Sequence, residues 1–411
     1  MRESRDFRLL WISQLASMTG RSIVFVAVPY QVYVLTHSTL AVGVLGIVQA
    51  VPQVIAGLYG GALADRFDRR TVLLVSKAVL ALTSLALGLG ALGLWTPLWF
   101  IYLVSGTAAG VSMVEHAARS ATVPRLVPPR RLAPALQLVQ VLFQASVVVG
   151  PALAGVVIGA VGLAWAYALD VAAFAFAAAA IWQLRPQPPT GVIPDLGWRV
   201  PVEALSYVWK SQILVGNFAA DLAAMVFASP RALFPALALQ VFRVGPEGLG
   251  LIYAAPGVGG LLGSVFSGWV GRVRRQGLTV IWAVVAWGLA IIGFGLAVRV
   301  FWLGLLLLAV AGAADMISAV FRHTILQQSV PDSLRGRMSA LNSMVVTTGP
   351  RLGDLESGAV AALTSTSFAI VSGGAACLLA VAVVAALAPG FCRYRLEAAA
   401  VAGDPAVGPV L

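Results

Sequence analysis

Residues 57–70 read G-L-Y-G-G-A-L-A-D-R-F-D-R-R, an apolar helix that ends in small residues and runs into a charged turn. Gly57, Gly60 and Gly61 let a neighbouring helix backbone approach closely. Asp65, Arg66, Asp68, Arg69 and Arg70 cannot lie in hydrocarbon, and a second apolar run begins at once with Thr71. The stretch is therefore a short hairpin at a membrane face, joining two spanning helices.

Composition agrees with that reading. Of 411 residues, 60% are hydrophobic and 10% charged, with a mean hydropathy of +0.92. A soluble domain carries about 25% charged residues, so water is not the main solvent of this chain. The net charge of +11 sits in short loops between apolar runs, which points to membrane topology rather than nucleic acid. Cys377 and Cys392 are too few for a disulfide framework, and His37, His116 and His323 fall at different span ends, so no metal site is expected. The N-terminal M-R-E-S-R-D-F-R leads into an apolar run that is too long for a signal-peptide core and contains Arg21; it reads as an uncleaved first span.

A span needs about 20 apolar residues. Twelve are expected, near 9–35, 41–63, 71–93, 97–118, 132–158, 163–184, 211–236, 247–270, 277–298, 300–321, 339–363 and 366–388. With the N-terminus inside, 22 of the 27 Lys and Arg fall in cytoplasmic segments, Lys77, Arg119 and Arg322 among them, and only Arg243 and Arg299 in outer loops. That bias predicts both termini in the cytoplasm. Residues 185–210, rich in proline, read as a cytoplasmic linker between a first bundle at 1–184 and a second at 211–390, with a tail at 391–411. Within the linker, Glu203 to Lys210 is a candidate interfacial helix. The halves echo each other: at an offset of 207, Gly43 meets Gly250 and Gly61 meets Gly268, and at 203 Arg119 meets Arg322. The fold class expected is an all-α membrane protein of two pseudo-symmetric six-helix bundles.

The order G-x-L-A-D-R-x-x-R-R closely resembles the loop 2–3 signature of the major facilitator superfamily of transporters. G-P-A-L-A-G at Gly150 to Gly155, with Pro151 inside it, resembles the glycine–proline motif of that superfamily's exporters; its role would be a bend and close packing at the seam between halves. S-R-D-F-R-L-L-W near the N-terminus, V-A-V-P-Y-Q-V-Y-V-L-T-H-S-T-L-A-V-G at Val26 to Gly43, P-R-L-V-P at Pro124 to Pro128, and Q-Q-S-V-P-D-S-L-R-G-R at Gln327 to Arg337 resemble the enterobactin-exporter-like branch. The resemblance covers nearly the whole chain. It implies a monomer in the bacterial inner membrane that exports siderophores or drug-like compounds, some of them agents of multidrug resistance, in exchange for protons. It also implies that Asp65 closes an inner gate against the start of span eleven. The second-half copy, G-W-V-G-R-V-R-R, lacks that aspartate.

Charges inside spans are costly and should face a cavity or a partner. Rise per residue places Arg21, Asp221 and Arg351 near mid-membrane, where transporters of this type bind substrate. Asp221 reads either as a proton site or as a static partner of Arg21 or Arg351. Asp354, three residues after Arg351, reads as its fixed pair. Asp315, about two turns from the inner end of its span, is open to a gate or a proton role. Asp170 reads as solvated near the outer face, and Arg231 as snorkelling outward. Glu115 and Arg119, four apart, read as an ion pair at the inner end of span four, closing the gate or capping helix ends. Arg21 and Arg351 are candidates to hold an anionic or catecholate cargo. Tyr30, Tyr33, Phe143, Phe227 and Phe234 would either stack on a cargo ring or pack, and Trp95, Trp99 and Trp302 belong to the interfacial belt.

No phosphate-binding G-x-x-x-x-G-K occurs and the only lysines are Lys77 and Lys210, so ATP hydrolysis is excluded and no cofactor is expected. The alternatives are a nutrient importer, disfavoured by the span-five motif, and an intramembrane transferase holding Mg²⁺ at Asp65-x-x-Asp68. The acids there are outnumbered by Arg66, Arg69 and Arg70, which disfavours a cation site.

Overall fold

The computed structural model describes residues 5–93, 96–189, 205–265, 273–297 and 300–395, without the side chains of residues 61, 62, 64, 65, 332 and 333. Among these residues the regular structure is all helical. The first half holds α1 (Arg5–Thr36), α2 (Thr39–Arg66), α3 (Arg69–Ala91), α4 (Leu98–Leu126), α5 (Leu132–Val161) and α6 (Leu163–Trp182). The second holds α7 (Gln212–Phe227), α8 (Gly245–Val265), α9 (Gln276–Leu296), α10 (Phe301–Ser329), α11 (Asp332–Leu363) and α12 (Thr366–Leu387).

Local chemistry sets the helix starts. Ser38, Asp68, Ser211 and Ser365 accept from the free backbone N–H groups of Ala41, Thr71, Leu214 and Phe368. Gly162, at φ 93°, makes the tight turn from α5 into α6. The seventh span breaks at Pro230 and continues through a 3₁₀ turn and a π turn to Val241. Trp287 Nε1 donates to the Ala228 carbonyl freed at that break, 2.9 Å away.

Eleven helical runs among the described residues are long and apolar enough to cross a membrane. The twelfth expected span, α11, is a 32-residue helix. It misses the apolar class because it carries Arg335, Arg337, Arg351, Asp354 and Glu356. Two other expectations are corrected in length. α4 and α10 run to Leu126 and Ser329, well past the expected ends at 118 and 321. Glu115, Arg119 and Arg322 lie inside these helices and find protein partners, so hydropathy alone cuts the helices short. Residues 205–209 of the linker are helical; Glu203, Gly268 and Trp95 lie outside the described residues.

The two halves pack by one scheme. α1 lies on α5 and α6, α2 on α4, and α3 on α4 and α6; likewise α7 lies on α11 and α12, α8 on α10, and α9 on α10 and α12. Between halves α2 meets α11 and α5 meets α8, contacts that exchange under the same correspondence. Each seam is made by facing glycines. A Cβ at Gly155 would lie 2.9 Å from the Gly250 Cα, and one at Gly358 would lie 3.0 Å from the Gly43 Cα. The sequence offsets 207 and 203 carry one glycine pair onto the other.

These seams lie towards the start of α2 and the end of α5. At the opposite, basic end, the nearest neighbours of Gly57 and Gly60 are Met113 and Val114 of α4, and Leu63, Phe67 and Gly336 are exposed. Trp182, Leu296, Trp302 and Leu387 are exposed on the periphery, the apolar surface that lipid covers.

Candidate functional site

A cavity of about 190 Å³ lies between the halves. Its first-half wall includes Arg21, Phe25, Gln49, Gln53, Ser84 and Ser105; its second-half wall includes Arg231, Tyr253, Arg351 and Asp354. The break in the seventh span puts Arg231 there. Asp354 Oδ2 lies 3.6 Å from Arg231 and 3.9 Å from Arg351, so two guanidiniums share one carboxylate. Nε and Nη2 of Arg231 are buried without a hydrogen-bond partner, which leaves donors to offer an acceptor in the cavity. Phe25 and Tyr253 meet edge to face at 5.5 Å and form an aromatic wall.

Below this cavity the first half holds a buried cluster. Glu115 of α4 is 1% exposed and lies 2.5 Å from Arg21 of α1 and 2.8 Å from Lys77 of α3. Lys77, 2% exposed, also donates to Ser17 Oγ at 2.5 Å and stands 5.5 Å over the Phe174 ring. The second half carries the reverse sign pattern. There Arg322 of α10 lies 2.6 Å from Asp221 of α7 and 3.6 Å from Asp315. So a cation on α1 faces an acid on α4, whereas an acid on α7 faces a cation on α10.

Several expectations are corrected by this geometry. Arg21, Arg351 and Asp354 meet at the cavity, but Asp221 and Asp315 do not line it. The partner of Asp221 is Arg322, not Arg21 or Arg351. Asp315 lies 14 residues before the end of α10, not two turns, because that helix is longer than its apolar part. Glu115 takes Arg21 and Lys77 rather than Arg119, which lies 2.8 Å from His116 Nδ1. Partners on other helices are desolvated with it, and that outweighs an i,i+4 neighbour. Glu115 also sits 11 residues inside α4, so it is not at the helix end. Asp170 is 1% exposed and accepts from Ser84, so it is not solvated. Arg231 faces the cavity and Asp354 instead of reaching outward. Tyr33 and Phe234 belong to the packed core, and the rings on the cavity are Phe25 and Tyr253.

Lys77 and Arg322 lie near the ends of their expected spans, where hydropathy assigns a charge to the loop. Their signal is that each falls directly after or among small or apolar residues of a helix, Lys77 between Ser76 and Ala78 and Arg322 after Val320 and Phe321, where a charge needs a partner.

The hairpin loop acts as a clasp. Asp68 caps α3 through Thr71 and accepts from the Gln187 N–H at 2.9 Å. Arg69, 5% exposed, donates to the Ala121 carbonyl of α4 at 2.8 Å, and Arg70 to the Trp182 carbonyl of α6. Arg66 ends α2, its guanidinium 6.0 Å from the Phe67 ring. The side chains of Gly61 and Asp65, with the gate contact expected of Asp65, lie outside the described residues. In the span-five motif Gly150 packs on Ser22 of α1, and the Pro151 carbonyl and Gly155 pack on Gly250.

Comparison with known proteins places this geometry in a family. The model for the transmembrane secretion effector family, a major facilitator family, matches residues 2–399. The enterobactin exporter EntS of Citrobacter koseri is 30% identical over 372 residues, 89% of this chain and 88% of that one. EntS of Salmonella typhi is 29% identical over 373 residues, with the same coverage. Among solved structures, a POT family transporter in complex with 5-aminolevulinic acid superposes with a TM-score of 0.78 at 11% identity, covering 94% of this chain and 97% of that one. A bacterial homologue of the iron transporter ferroportin, inward-facing, gives 0.68 at 18% identity, covering 94% and 98%. The chain therefore belongs to the transmembrane secretion effector family of the major facilitator superfamily, and it is a membrane transporter of small molecules rather than an enzyme.

Proposed function

We propose that this transporter exports an acidic, aromatic small molecule of the siderophore or drug-like class across the bacterial inner membrane, by proton antiport with alternating access. One observation carries the reading: Arg231 and Arg351 share the single carboxylate of Asp354 beside an aromatic wall, in a cavity between the two halves. A site of that kind attracts an anion that also carries a ring. The relatives named as enterobactin exporters, matched over most of both chains, support the same cargo class.

In this reading residues 1–184 and 211–390 are the two rocking bundles and 185–210 is the linker. Both termini face the cytoplasm, since the loop charges remain one-sided after buried Lys77, Arg119 and Arg322 are set aside. The glycine seams then close the outer side while Leu63, Phe67 and Gly336 are exposed at the basic end, an arrangement suited to loading from the cytoplasm. Arg21, Arg231 and Arg351 hold the cargo, and the Asp221–Arg322–Asp315 and Arg21–Glu115–Lys77 clusters position the helices that move. Asp65 and Arg66 close the inner gate on the return, with the unit acting as a monomer.

The test is counterflow in proteoliposomes with labelled enterobactin and a cationic dye, with and without an imposed pH gradient. Enterobactin should exchange, accumulate with the gradient, and lose both in Arg231→Gln and Arg351→Gln. Exchange of the dye alone would overturn the cargo class. Accumulation that ignores collapse of the gradient would overturn antiport.

A further inference from the structure

We propose that Asp170 on α6 is the group that carries the coupling proton, reached from the central cavity through the Ser84 hydroxyl. The proposal rests on the antiport reading above and names the acid within it. Asp170 is 1% exposed, and its two carboxyl oxygens have different surroundings. Oδ2 accepts from Ser84 Oγ of α3, and Oδ1 has no hydrogen-bond partner. Glu115, Asp221, Asp315 and Asp354 each have an Arg or Lys within 4.0 Å; among the described residues Asp170 and Glu356 of α11 have none, and of these two only Asp170 is fully buried. An ionised carboxylate sealed from water without a partner is costly. Its charge must therefore follow whether water reaches it, and that is the property a coupling acid needs.

The route to the group is short. Ser84 forms part of the cavity wall and touches Asp170, so one hydroxyl separates cavity water from the carboxyl. In loading, Ser84 passes its proton to Oδ2 and takes one from a hydronium ion in the cavity, leaving a water molecule. In unloading, the same two transfers run in reverse. The serine is unchanged, and one proton moves in each direction.

The link to movement lies on α1. A Cβ at Gly20 would fall 2.3 Å from Asp170 Oδ1, so the α1 backbone rests directly on the carboxyl one residue before Arg21. The charged and titratable groups that face Asp170 are Arg21 from α1, Lys77 from α3, and Tyr167 of its own helix, whose hydroxyl is engaged by Gln31. α5, the other neighbour, carries no titratable side chain. Arg21 and Lys77 are both committed to Glu115. Closing α1 over Asp170 is thus compatible with a neutral acid, and an ionised one calls for water or for Arg21 drawn away from Glu115. The proton is thereby the passenger of the return step.

Infrared difference spectra of the full-length protein in liposomes, between acidic and alkaline pH, read the group without any cargo. The wild type should lose the carbonyl stretch of a protonated carboxyl on raising pH. Asp170→Asn should lack that band and Asp221→Asn should keep it. Ser84→Ala keeps the carboxyl but removes its hydrogen bond, so it should shift the band; this variant decides the matter if Asp170→Asn fails to fold. A band that survives unchanged in Asp170→Asn, or is unmoved in Ser84→Ala, overturns the proposal. Transport separates the two readings. Wild-type accumulation of enterobactin that ignores the gradient removes antiport and this proposal together. Gradient-driven accumulation that persists in Asp170→Asn removes this proposal and leaves antiport standing.

Discussion

Glu115→Gln removes the only acid from a buried cluster of cations, and the cost follows from who is left behind. Lys77 is 2% exposed and keeps only Ser17 Oγ and the Phe174 ring as partners. Removing one member of a buried ion pair costs about 3–5 kcal/mol, because the remaining charge stays desolvated. Arg21 adds little to this figure: its side chain is 38% exposed, and an exposed pair contributes about 0–1 kcal/mol. Lys77→Met is milder, since Glu115 retains Arg21 at 2.5 Å; a cost of about 1–3 kcal/mol is expected. In the double variant no buried charge is stranded, and its stability should return towards the wild type. The single effects should therefore be non-additive by at least about 2 kcal/mol. The assay is the unfolding rate of the purified protein in denaturing detergent, followed by tryptophan fluorescence at one temperature. If the pair is lost before the barrier, 3 kcal/mol corresponds to a rate increase of more than about 100-fold for Glu115→Gln. A change below about threefold for that variant, or a double variant equal to the sum of the singles, would refute the reasoning.

Other outcomes follow from the same geometry. Gly155→Leu and Gly358→Leu drive a side chain into the facing backbone, so Val42→Cys, 2% exposed in the parent, should react at least about tenfold faster with an outside maleimide; unchanged labelling would count against the seams. Arg322→Gln strands Asp221 and Asp315 and should unfold about 100-fold faster, with much of the loss restored by adding Asp221→Asn. Trp287→Phe takes away the donor to the Ala228 carbonyl and should cost about 1 kcal/mol, read by the same unfolding assay. Arg351→Gln should weaken enterobactin exchange about tenfold or more at unchanged expression, which a counterflow titration measures.

What could be read from the chain alone was whatever the bilayer dictates. Lipid demands runs of apolar residues closed on their own hydrogen bonds, so the helices, the hairpin at Asp65 to Arg70 and the repeat offsets were all legible. Even there the polar C-terminal ends of α4 and α10 were lost, because hydropathy sees a charge and not its partner. Only the tertiary structure decided which charges meet. A helix places Glu115, Asp170 or Asp221 at a known height, but the 3.6-residue period gives only the face, not the helix that faces it. Lys77 became the partner of Glu115, and Arg322 that of Asp221, through the packing of α3 on α4 and of α7 near α10. Asp170 became a fully buried acid without a cation because Gly20 admits the α1 backbone against it while Arg21, the next residue, turns to Glu115. Energies of that kind depend on distances of a few ångströms across helices far apart in sequence, and only the folded packing sets them.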